Sequence, residues 1–187
     1  MTEWLLDREQ DLRLRALRRA DIASAAGLAA EAFGDAATGE EVRSMLSLHC
    51  DGAGDTPLDR QQALLATRYY VLAQAQALVG LTGLYHPAWI GKGVFGLGWF
   101  CVAPALQGRG IGARLLGATL QIAAAQGGRR LFIETAPNLT AALGLYRKLG
   151  FQENGRMPDY FGPGSDLVLL SRSLDDVTLE EGFPHGL

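Results

Sequence analysis

The residues best suited to chemistry form one glycine-rich run, Val102-Ala103-Pro104-Ala105-Leu106-Gln107-Gly108-Arg109-Gly110-Ile111-Gly112-Ala113. It joins an apolar stretch to an amphipathic one, where a strand would hand over to a helix. Glycines at 108, 110 and 112 let successive backbone N–H groups converge at a helix start, whose dipole adds partial positive charge. Such a turn binds phosphate, and Arg109 and Arg114 bring further charge. A plain strand-to-helix turn would not need three alternating glycines. The Walker pattern does not apply, because no Gly-Lys-Ser/Thr follows. A dinucleotide fingerprint can be forced onto Gly108, Gly110 and Ala113, but it needs an acid about 20 residues on. The chain has Gly127, Gly128, Arg129 and Arg130 there, so that reading is rejected.

The elements that position this turn follow from the patterning around it. Leu12, Leu14 and Ala16 alternate with Arg13 and Arg15 as a short strand. Asp21 stands where a helix cap belongs, before an alanine-rich run to Phe33, and residues 40–50 predict a second helix. Residues 51–55 predict a turn, with another short helix starting near Asp59. Residues 69–72 and 77–82 predict a hairpin, 86–93 a loop holding His86, and 94–102 a third strand. His49 is expected on the surface. Downstream, Ile111, Leu115, Ala118 and Ile122 fall on one helical stripe within residues 110–125, with Gly127 and Gly128 as the stop. A strand over 130–135, a helix over 139–149 ended by Gly150, and a strand over 167–170 follow. The tail from Asp175 is polar and predicts mobility. Strands in a row, then strand–helix–strand–helix–strand, imply a mixed α/β sheet in one domain.

Composition narrows the class. With 187 residues, 48% hydrophobic, and a net charge of -3, the chain is not disordered and suits a single domain over 1–187 with its core at about 12–174. No apolar run reaches the ~18 residues of a membrane span, and residues 1–9 carry acids where a secretory signal would be apolar. Cys50 and Cys101 offer neither a metal spacing nor a disulfide framework, which points to a reducing cytoplasm and no metal. Fifteen arginines and two lysines are scattered and outnumbered by 20 acids, so no nucleic-acid footprint exists. Twelve of the 24 glycines fall between Gly80 and Gly128, which marks that quarter of the chain for tight turns or close approach.

Val102-x-Pro104-x-x-Gln107-Gly108-Arg109-Gly110-Ile111-Gly112 resembles the acyl-coenzyme A signature of the GNAT superfamily of N-acetyltransferases. Ala142-Leu143-Gly144-Leu145-Tyr146-Arg147-Lys148-Leu149-Gly150-Phe151 is similar to that family's later helix and the Gly-Phe opening its next strand. The resemblance covers about residues 12–174. It implies a central, mostly antiparallel sheet with a splayed parallel pair, flanked by helices, and acetyl-coenzyme A as cosubstrate without a metal. The backbone of Phe100, Cys101 and Val102 would pair with the pantetheine arm, with a backbone N–H near Cys101 or Val102 stabilising the oxyanion. Gly108, Arg109, Gly110, Ile111, Gly112 and Ala113 would hold the pyrophosphate, with Gln107 in the same cofactor site. Gly96 and Gly98 share a strand face and either clear volume along the cofactor strand or mark a β-bulge.

The same resemblance assigns Tyr146 as the acid that protonates the departing thiolate, a role open to a phenol that stays protonated at neutral pH. Glu134, twelve residues earlier, matches the glutamate base of some members. It alternates with Ile133 and Thr135, and apolar neighbours would raise its carboxyl towards neutrality; the other reading is an acid paired with Arg129 or Arg130. Members such as the ribosomal-protein alanine acetyltransferases carry an asparagine seven residues before the tyrosine. This chain has Leu139 there and Asn138 one place earlier, so Asn138 becomes the candidate cofactor contact and a ribosomal-protein acceptor loses support. Cys101 as an acylated nucleophile lacks a nearby histidine. Glu31, Phe33, Trp99, Tyr160 and Phe161 are the expected acceptor-site residues, with Asp159 and Glu31 able to attract a cationic amine. The resemblance thus implies acetyl transfer to a small-molecule or peptide amine. It allows a homodimer, although no residue marks an interface. The competing reading is a non-catalytic acyl-coenzyme A binding or sensing domain.

Overall fold

The computed structural model describes residues 3–51, 64–181 and 183. The strands are β1 (Glu3–Asp7), β2 (Leu12–Ala16), β3 (Leu64–Gln74), β4 (Ala77–Pro87), β5 (Val94–Leu97), β6 (Cys101–Val102), β7 (Arg130–Thr135), β8 (Gln152–Met157) and β9 (Leu167–Ser173). The helices are α1 (Ile22–Phe33), α2 (Ala36–Asp51), α3 (Ile111–Ala125) and α4 (Thr140–Lys148). The strands form one sheet in the order β1-β2-β3-β4-β5-β7-β9-β8, with β6 also paired to β4. All pairings are antiparallel except β5 with β7. This is the mixed sheet that the patterning predicts, mainly antiparallel with one parallel pair as the family resemblance implies.

Period-2 alternation sends each strand's side chains to two different cores. Tyr70, Leu72, Leu84, Leu97, Leu131 and Ile133 pack with α3 and α4 on one face. Tyr69, Val71, Leu81 and Cys101 pack with α1 and α2 on the other. The expected stripe of α3 is buried throughout: Ile111, Leu115, Ala118 and Ile122 are each at most 1% exposed. Burying each large aliphatic side chain stabilises the docked helix by about 1.5–3 kcal/mol. The buried polar pair beneath it is satisfied, with Thr82 and Thr119 hydroxyls 2.9 Å apart and Thr119 donating to the Leu115 carbonyl.

The third predicted strand is broken. Leu97 pairs with Leu84 and Gly96 with Tyr85, whereas Cys101 pairs with Leu81 and Val102 with Gly80. One residue more lies on this side than on β4, which defines a β-bulge over Gly98-Trp99-Phe100. β7 pairs with β5 only as far as Gly96↔Phe132. Beyond that row, β6 continues along β4 while β7 continues along β9, so the parallel pair splays.

Several local expectations are corrected. Asp21 does not cap α1 with its side chain; it instead takes both Arg15 guanidinium nitrogens, at 2.6 and 2.8 Å, and the Arg18 amide. That pairing with Arg15 holds the Asp21 carboxyl below its usual range. His49 lies within α2 and His86 within β4, both half-buried, rather than in loops or on the surface. Among the described residues the tail is not mobile but packed: Val177 and Leu179 join the core, and Phe183 meets the Trp4 ring edge-on at 4.8 Å. β1 also joins the sheet, so packing begins ahead of Leu12. The turn at 52–55 and the helix near Asp59 lie outside the described residues. Among the described residues, no helix is long and apolar enough to cross a membrane.

Candidate active site

The glycine-rich turn starts from a short 3-10 helix, Pro104–Leu106, and ends at Gly110, the N-cap of α3. Gly108 and Gly110 hold φ of +72° and +80°, and a Cβ at either would meet open space. The glycines are therefore required by backbone conformation rather than by crowding. Arg114 donates its amide to the Gly110 carbonyl at 3.2 Å, beginning the helix. From Gly108 to Ala113, no backbone N–H has a backbone acceptor among the described residues. Those donors stand at the positive end of a 15-residue helix, an arrangement that favours an anion. Gly112 serves another purpose, since a Cβ there would touch Leu145 of α4 at 3.4 Å.

The charged and polar side chains around the turn divide. Gln107 donates to the Val102 carbonyl at 3.0 Å and so braces the turn. Arg114 is ion-paired with the buried Asp7, so it is not the free cation that the sequence suggested. Arg109 is exposed and makes no ion pair among the described residues, which leaves it available to a phosphate.

The bulge decides which backbone groups face the gap left by β7. Ala103 donates its amide to Val79 of β4 at 2.9 Å. Antiparallel ladders alternate, so the Cys101 amide faces β4 as well and the Val102 amide faces away. Of the two expected N–H donors, Val102 is the one the ladder leaves free. Cys101 itself is buried, and burial pushes its thiol up to about 12. A thiolate nucleophile is therefore not available at neutral pH.

Across the sheet, Tyr85, Gly96 and Phe132 form one row on the face that carries α1 and α2. A Cβ on Gly96 would collide with the Tyr85 ring. Glycine lets that ring lie over β5 and meet Phe132 of β7 edge-on, with centroids 5.5 Å apart. The Tyr85 hydroxyl then donates to Glu134 Oε2 at 3.0 Å. A Cβ on Gly98 would likewise crowd the Tyr69 ring, lying 3.1 Å from its Cε1. The bulge reading applies to Gly98, whereas Gly96 pairs regularly with Tyr85 and Phe132, and tyrosine rings fill the volume that both glycines clear. Glu134 faces opposite to Ile133 and Thr135, as alternation predicts. It is exposed, however, and so lacks the apolar enclosure expected. Arg129 bonds the Lys92 carbonyl and Arg130 the Ser171 hydroxyl, so neither arginine is its partner.

Tyr146 projects from α4 into the core, 5% exposed, with ring centroids 6.4 Å from Phe100 and 6.0 Å from Phe151. Burial pushes its phenol up to about 12, so it remains protonated at neutral pH. Phe33 of α1 meets Trp99 of the bulge edge-on at 5.7 Å. Tyr160 and Phe161 meet edge-on at 5.0 Å, both more than half exposed, and the Tyr85 phenol is pushed up chiefly by burial and then by the Glu134 carboxylate. Asp159 accepts the Gly164 amide at 2.6 Å, closing its own loop. Asn138 and Glu31 are exposed and make no side-chain hydrogen bond among the described residues. Tyr85 is the residue that the sequence reading missed. Its signal was the alternation Leu81-Gly83-Tyr85, which becomes legible once β4 is carried past Thr82.

Comparison with known proteins bears on the family and the fold. The model of the acetyltransferase (GNAT) family matches residues 38–151. The chain is 30% identical over 143 residues to the N-alpha-acetyltransferase RimI of Mycobacterium tuberculosis, covering 76% of this chain and 89% of that protein. It is 32% identical over 125 residues to an uncharacterized protein of Mycobacterium leprae, covering 64% of this chain but only 34% of that longer relative. A solved GNAT-family structure from Desulfovibrio desulfuricans superposes with a TM-score of 0.74 at 18% identity, over 87% of this chain and 99% of the other, and shows the shared fold.

Proposed function

Because the chain belongs to the GNAT acetyltransferase family, we propose that it transfers an acetyl group from acetyl-coenzyme A to a primary amine of a small molecule or peptide in the cytoplasm. The observation that carries this reading is the run of backbone N–H groups from Gly108 to Ala113 at the start of α3, beside the splayed strands. A pyrophosphate fits it: the donors lack backbone acceptors, and no Cβ projects from Gly108 or Gly110. Arg109 adds charge at the rim, and the edge of Phe100 to Val102 left unpaired by β7 receives the pantetheine arm. Acetyl-coenzyme A supplies the activated thioester.

The chain's own residues supply the rest. The neutral amine attacks the thioester carbon, the carbon–sulfur bond breaks, and the Val102 amide stabilises the charge that develops on the carbonyl oxygen. Glu134 takes the proton that the amine must shed, directly or through a water. Tyr146 gives its proton to the departing thiolate, and its raised phenol keeps that proton in place beforehand. Phe33, Trp99, Tyr160 and Phe161 line the acceptor side with apolar surface. The test is thiol release from acetyl-coenzyme A across a broad panel of amines, alongside thermal stabilisation by acetyl-coenzyme A alone. Stabilisation with amine-dependent thiol release is expected. Stabilisation without turnover would favour a non-catalytic acyl-coenzyme A binding domain, and the absence of both would overturn each reading.

A further inference from the structure

We propose that Tyr85 is a positioning residue for Glu134, held across β5 by the missing side chain at Gly96. The proposal rests on the acetyltransferase reading for its kinetic consequence and on geometry alone for the contact itself. Glu134 sits on β7 just past the last row that β7 shares with β5, where no neighbouring strand constrains its side chain from that side. An exposed glutamate has several rotamers of similar energy and would sample them freely. The Tyr85 hydroxyl removes that freedom by donating to Oε2 at 3.0 Å.

The tyrosine is itself fixed. Its ring lies over Gly96 and packs edge-on against Phe132, two residues before Glu134 on the same face of β7. Any side chain at 96 would occupy the ring's place, so the glycine, the ring and the carboxylate form one mechanical unit spanning β4, β5 and β7. The hydroxyl engages a single carboxylate oxygen. Oε1 has no partner among the described residues and is left to receive the amine proton. A hydrogen bond to a charged acceptor is strong enough to hold one rotamer. Catalysis gains by having the base already oriented.

The test is a double-mutant cycle on the full chain, with a spectroscopic arm that needs no turnover. Tyr85→Phe keeps the ring and its packing while deleting the hydroxyl. It should lower kcat roughly tenfold, with KM for acetyl-coenzyme A and the thermal midpoint unchanged. Glu134→Gln should lower kcat further, and adding Tyr85→Phe to it should cost nothing more, because the tyrosine acts through the carboxylate. Additive losses, or a Tyr85→Phe enzyme as fast as the unaltered one, would overturn the kinetic role. In protein labelled at tyrosine Cζ, the resonance lost in Tyr85→Phe should shift in Glu134→Gln. If it stays in place, the contact is absent and the proposal fails. Should the unaltered protein acetylate no amine, the proposed function and the kinetic role both fall, while the resonance still decides whether Tyr85 holds Glu134.

Discussion

The turn at Gly108–Ala113 presents backbone N–H groups placed by two left-handed glycines and a helix start, whereas Glu134 is placed by a tyrosine that reaches it from two strands away. The first needs only local chain geometry, so its chemistry is written in consecutive residues. The second needs the register of three strands, and its parts lie at positions 85, 96 and 134. On the proposed function, donor-side recognition would be local and acceptor-side orientation non-local. Substitutions should separate them.

The sharpest separation should come from Tyr146→Phe, which removes the proposed acid while retaining a buried ring. Turnover should fall about 100-fold, with acetyl-coenzyme A affinity unchanged by calorimetry. The phenol's upward shift to about 12 means that it does not titrate in the working range. The pH–rate profile should therefore keep its shape in this variant. Full activity would break the assignment.

Gly110→Ala acts on the opposite side of the comparison. At φ +80° with open space around the new Cβ, the cost is one of backbone conformation alone, about 1–2 kcal/mol. Acetyl-coenzyme A binding should weaken about tenfold, with kcat at saturation nearly retained. Unchanged affinity would show that these amides do not hold the pyrophosphate.

Cys101→Ala should alter turnover least, within about twofold, because a buried thiol is not the nucleophile. Its effect appears in stability at high pH. The folded thiol sits at about 12, above the ~8.5 of an exposed one. The unfolded chain therefore sheds its proton first, and this stabilising contribution, complete below the unfolded value, is lost as pH rises towards 12. Denaturant midpoints at pH 8 and 10 should converge more closely in Cys101→Ala than in the unaltered protein.

How much of this was legible in the sequence follows the same division. The helix stripe of α3, the hairpin, β7 and the glycine turn were legible because each rests on periodicity or on turn chemistry within a dozen residues. The break at Gly98-Trp99-Phe100 was legible only as one of two readings of Gly96 and Gly98, since Val94 to Val102 is uniformly apolar and a bulge is placed only by the partner's register. Asp21 carried a cap signature, yet Arg15, six residues earlier, offered a charged partner that outcompeted the helix amides. The tail after Asp175 looked polar because its few apolar residues are spaced too widely for any pattern, although Phe183 finds a ring to pack on.

That last contact bears on how the molecule assembles. Trp4 and Phe183 meet across nearly the full length of the chain, so forming the contact closes a very long loop. Contacts of such separation are late to form when a protein folds. Phe183→Ala should consequently leave the folding limb of a stopped-flow chevron almost unmoved and steepen loss from the native side by speeding unfolding. The β1 edge of the sheet would then be the region whose release governs the lifetime of the folded state, far from the residues that carry the chemistry.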